Sequence, residues 1–81
     1  MLDTSILSKV EERLSRHLED YRLSDPLLII KRRENPEKWV LELIRMKLDR
    51  FEFAAKESAR EDSILDAMGY LVLLENLRKE G

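Results

Sequence analysis

Three acids near the start of one helical stretch, Glu61, Asp62 and Asp66, are the residues of this 81-residue chain whose types and spacing could do chemistry. Asp62 and Asp66 recur one turn apart on one face of a helix, with Glu61 beside them and Glu57 one turn earlier. Glu42, on the helical stretch before, is a further acid. Carboxylates projecting from facing helices are how a helical bundle holds a hard divalent ion. Magnesium keeps several waters while contacting one or two carboxylates and substrate phosphates. Lys47, Arg45 and Arg50 would then be the phosphate partners, a set suited to metal-assisted hydrolysis of a nucleotide. A plainer reading competes, because acids in a first helical turn also complement the helix dipole, and this accounts for Glu61 and Asp62. Asp66 lies deeper, between Leu73 on one side and Ala59 and Leu77 on the other. A carboxylate there is costly unless it is paired or bound to a cation.

The elements that must position these residues are helices. Ser58 and Glu61 have capping-box spacing and predict a helix start at Ser58, running to about Leu77. Stepping about 100° per residue, the side chains from Ile64 to Leu74 are apolar all round except at Asp66 and Gly69. Such a helix must be enclosed on every side, and a second copy of the chain is the expected source of cover. Asn35, Pro36 and Glu37 supply cap, first-turn proline and first-turn acid for the preceding helix, expected from Pro36 to about Lys56. Its apolar arc holds Trp39, Val40, Leu43, Ile44, Leu48, Phe51, Ala54 and Ala55. Lys47 projects from the middle of that arc and needs an anion, from the last helix or from a ligand's phosphate, or else snorkels over a thinly covered face.

Upstream, Asp3 or Thr4 can cap a first helix to about Arg22, with Ile6, Leu7, Val10, Leu14, Leu18 and Tyr21 as one stripe. Glu11, Glu12, Ser15, Arg16 and Glu19 form its solvated face, and His17 within the stripe reads as a packing residue. Ser24, Asp25 and Pro26 start a short helix, Leu27 to Arg33. Its basic end, Lys31 to Arg33, complements the helix dipole. The expected architecture is all-α: three long helices and one short one in a single domain over residues 1–81, a bundle completed by oligomerisation as a homodimer or homotetramer.

Composition narrows the function classes. Fifteen Lys+Arg against 17 Asp+Glu give a net charge of −2, without the basic footprint of a nucleic-acid binder. No cysteine is present, which excludes disulfides, thiol catalysis and cysteine-ligated zinc. Neither a signal-peptide pattern nor an apolar run long enough to span a bilayer occurs, so the expected setting is the cytoplasm, with no membrane partner. Glycine-rich phosphate loops, nucleophile elbows and paired-histidine metal motifs are absent from the sequence.

The segments W-V-L-E-L-I-R-M-K-L-D-R-F, Trp39 to Phe51, and E-D-S-I-L-D-A-M-G-Y-L-V-L-L, Glu61 to Leu74, resemble the core of small MazG-like proteins. The resemblance is to the phage and bacterial branch called nucleotide modification associated domain, and it spans about half of the chain. It implies an all-α dimer or tetramer related to nucleoside triphosphate pyrophosphatases. It further implies Asp62 and Asp66 as magnesium ligands with Glu61 beside them, Lys47 and Arg50 as basic partners, and Tyr70 as a pocket or packing residue. MazG-like pyrophosphatases carry an E-x-x-E pair on the earlier helix; this chain has Glu42 followed by Arg45. Two expectations follow. One is a magnesium-dependent enzyme on nucleotides, using Asp62, Asp66 and Glu42 as ligands. The other is a non-enzymatic helical oligomer that binds a protein or a small anionic ligand, with Asp66 and Lys47 paired across the helix interface to set register.

Overall fold

The computed structural model describes residues 2–20 and 30–80, and of residues 17–20 the backbone alone. The described residues are all-helical, in three long helices: α1 (Ile6–Asp20), α2 (Pro36–Phe53) and α3 (Glu57–Glu80). The first three residues of the expected short helix, the Ser24 to Pro26 start before it, the expected end of the first helix at Tyr21 and Arg22, and the side chains of His17 and Leu18 lie outside the described residues. Of that short segment the structure shows its end, a turn in which the Arg33 N–H donates to the Ile30 carbonyl at 3.0 Å. No helix among the described residues is long and apolar enough to cross a membrane.

Each helix start has a local cause. At α1 the Asp3 carboxylate accepts from the Ser5 N–H at 2.9 Å, holding the turn that leads into the helix. At α2 the Asn35 side chain accepts from the Lys38 N–H at 3.4 Å and Pro36 occupies the first turn, as the sequence predicts. The end of α2 comes earlier than expected. Ala54 adopts an extended backbone at φ −70° and ψ 133°, its N–H closing the last turn onto Arg50. This extended residue lets the chain double back within a few residues.

The start of α3 also departs from expectation. The Lys56 carbonyl accepts from the Arg60 N–H, so the helix begins at Glu57 and Ser58 already lies inside it. A residue within the helix cannot serve as its cap, and the Glu61 carboxylate pairs with Lys9 instead.

The α2 and α3 helices form an antiparallel hairpin, and α1 lies against α3 in a less extensive contact. Small residues recur every four positions along α3 at Ala59, Ser63 and Ala67, of which Ser63 and Ala67 are buried. Ser63 is buried and satisfied, its hydroxyl donating to the Ala59 carbonyl at 2.9 Å. The core is built from Ile30, Val40, Ile44 and Leu77, with Trp39, Tyr70, Leu73 and Leu74 packed against it. Val40 is fully enclosed. Beyond this core, Leu48 and Leu71 are about half exposed, at 48% and 51%. Leu48, expected within the apolar arc, is only half covered in this chain.

Candidate functional site: a charge cluster joining three helices

The acids of α3 face cations from both other helices. Asp66 Oδ1 accepts from Arg13 of α1 at 3.0 Å, and its Oδ2 lies 3.0 Å from Lys47 Nζ of α2. The other terminal nitrogen of Arg13 contacts Asp62 at 2.6 Å. One turn toward the start of α1, Lys9 meets Glu61 at 2.6 Å. Helical spacing produces this cluster: Lys9 and Arg13 are one turn apart on α1, and Arg13 reaches both Asp62 and Asp66, one turn apart on α3, while Lys9 meets Glu61.

Burial grades the cluster from inside to outside. Lys47 is 14% exposed and Asp66 29%, whereas Asp62 and Glu61 are about half exposed. The inner pair carries the energetic weight, since ion pairs open to water contribute little. Burial alone would pull Arg13 down. The hydrogen bond and charge of Asp62, with the charge and hydrogen bond of Asp66, outweigh it and hold the guanidinium above its ordinary range. The Lys9 contact lowers Glu61 and raises Lys9, each through their shared hydrogen bond first and charge second.

The remaining candidate residues are distributed differently. Arg50 is exposed and borders, with Asp62, a surface concavity that also includes Phe53, Ala54, Ala59 and Ser63. Tyr70 is half-buried, packs on the core and lines a cavity beside Asp66. Glu42 and Arg45 are exposed. Glu42 lies two residues past fully buried Val40, about 200° round α2, and so projects away from α3. It does not join Asp62 and Asp66.

Comparison with protein-family models, curated proteins and solved structures gives no match. The site therefore stands on its own geometry.

The magnesium expected from the sequence would have to share its acids with cations already in place. No group of three or more His, Cys, Asp or Glu side chains suited to a metal ion occurs among the described residues. The two acids nearest to such a role already share Arg13 and Lys47. A divalent ion would have to enter beside two positive groups. The residues that sequence reading missed are Lys9 and Arg13. Their spacing of four, which puts two cations on one face of α1, is the signal that pointed to them.

Proposed function

We propose that the chain is a non-enzymatic helical assembly module, in which the charge cluster fixes helix register and the open face of the α2–α3 hairpin receives a second copy. The observation that carries this reading is the double engagement of Asp66: both carboxylate oxygens meet cations, one from each neighbouring helix. An acid engaged in this way is less available as a metal ligand or a general base.

The docking surface follows from helical spacing. Leu41 and Leu48, one heptad apart, flank the buried arc of α2, at 39% and 48% exposure. Ile64 and Met68, half-buried, and the more exposed Leu71 occupy the sector of α3 that turns away from the Asp62 and Asp66 contacts with Arg13, and exposed Val72 lies at its edge beside Glu61. In an antiparallel hairpin whose seam pairs Lys47 with Asp66, Leu41 falls beside Leu71 and Leu48 beside Ile64. The result is one apolar strip.

Charge suits that strip to a copy of itself. Glu57 stands at the start of α3 and Lys79 near its end, both exposed. Antiparallel two-fold pairing about Met68 brings Glu57 opposite the second copy's Lys79, and Ile64 opposite its Val72. Glu61 and Glu75 then face each other, but Lys9 and Arg78 already neutralise them within each chain. Sedimentation of the wild type against Leu71→Lys tests the proposal. A concentration-dependent dimer that Leu71→Lys converts to a folded monomer supports it; a wild-type monomer at high micromolar concentration defeats it.

A nucleotide-directed role is the second reading, favoured by the resemblance at Trp39 to Leu74. It requires Asp62 and Asp66 to exchange Arg13 and Lys47 for ligand contacts. Release of phosphate or pyrophosphate from a nucleotide panel, absent in Asp66→Asn, would establish it.

A further inference from the structure

We propose that the cavity between α1 and α3 binds a small neutral molecule, about one aromatic ring in size and carrying a hydroxyl group. The cavity measures about 140 Å³. That is close to the roughly 150 Å³ in which an engineered apolar cavity holds benzene. Among the described residues its walls are apolar, from Val10, Leu14, Leu65 and Leu73, and Arg13, Asp66 and Tyr70 form a polar end. Such a lining, mostly apolar with few convergent polar groups, is the chemistry of a small-molecule site.

The charge cluster selects a neutral guest. Arg13 and Lys47 offset Asp62 and Asp66, so the polar end carries no net charge to attract an anion or a cation. A hydroxyl suits it, donating to the Asp66 carboxylate, which can accept more bonds than its two cations use.

Gly69 supplies a second, independent indication. It sits within α3 on the cavity wall, where glycine is a poor helix former. Among the described residues nothing local requires it. Its backbone is ordinary helix, and an added Cβ would meet Leu14 Cδ2 at 3.8 Å, an ordinary contact. The absent methyl is space retained in the cavity.

The test is a titration of the full-length chain with phenol, benzoate and benzylammonium, followed by methyl chemical shifts. Phenol is expected to produce saturable shifts at Val10, Leu14, Leu65 and Leu73, with both ions bound about tenfold more weakly. Gly69→Ala should raise the melting temperature yet weaken phenol about tenfold, as one added methyl does in a close-fitting pocket. Leu14→Phe, filling the space from the α1 side, should weaken phenol similarly. The proposal fails if phenol gives no saturable shift up to about 10 mM, or if the filled variants bind it as well as the wild type. The cavity lies on the opposite flank of α3 from the self-association strip, so either proposal can fail alone.

Discussion

Lys47 Nζ stands 3.0 Å from Asp66 Oδ2 across the seam between α2 and α3, and the lysine is the less exposed of the two. A lysine at 14% exposure within an apolar arc has little access to water, and this acid is the anion it meets there. Arg13 then ties the same acid to α1. One carboxylate thereby links three helices.

The exposure difference along α2 leads to the first expectation. Val40→Ala should destabilise the chain by roughly 1–3 kcal/mol, because a fully enclosed side chain leaves a cavity that its neighbours cannot refill. Leu48→Ala, at 48% exposure, should cost under about 1 kcal/mol in the dilute monomer. Urea denaturation of both variants at low protein concentration checks the contrast.

The Lys9–Glu61 pair sets a pH window. Glu61 is held below its usual 4.5, so its contribution is present above that value and is lost as pH falls through the lowered folded value. Lys9 is held above its usual 10.5, so its contribution is present below that value and is lost as pH rises through the raised one. Wild type minus Lys9→Met stability, followed across pH, should be flat between these limits and shrink outside both. A difference that grows on acidification would contradict the pairing.

How far the sequence reveals this arrangement varies with the kind of signal. Local chemistry was legible: Asn35 and Pro36 start α2 as read, and the apolar spacing of α1 marks a helix with Val10 buried. The seam pairing of Lys47 with Asp66 was legible as well, because a charged residue amid apolar neighbours on each helix calls for the other. The start of α3 was misplaced because Ser58 and Glu61 have cap spacing in either frame. What decides the frame is the Lys56 carbonyl, which accepts from the Arg60 N–H and opens the helix at Glu57. Glu42 looked like a ligand because acid type and proximity in sequence carry no information about which side of α2 it occupies. Arg13 went unnoticed for a related reason: its role exists only once α1 lies on α3.

Magnesium should leave the melting temperature unchanged. A site with a dissociation constant near 1 mM would add about 1.4 kcal/mol at 10 mM magnesium, a rise of several degrees for a domain of this size. Thermal unfolding with and without the ion, and with chelator, shows whether any such site exists.

The most direct measurement is a double-mutant cycle between Lys47 and Asp66, using Lys47→Met, Asp66→Leu and the double variant in chemical denaturation. The expected result is that each single variant loses roughly 1–4 kcal/mol by leaving a charge unpaired while the double variant recovers most of it. A stabilising Asp66→Leu, with no coupling to Lys47, would show that the acid is retained at a cost to the fold for some chemical task, and would contradict its role as the bridge between the helices.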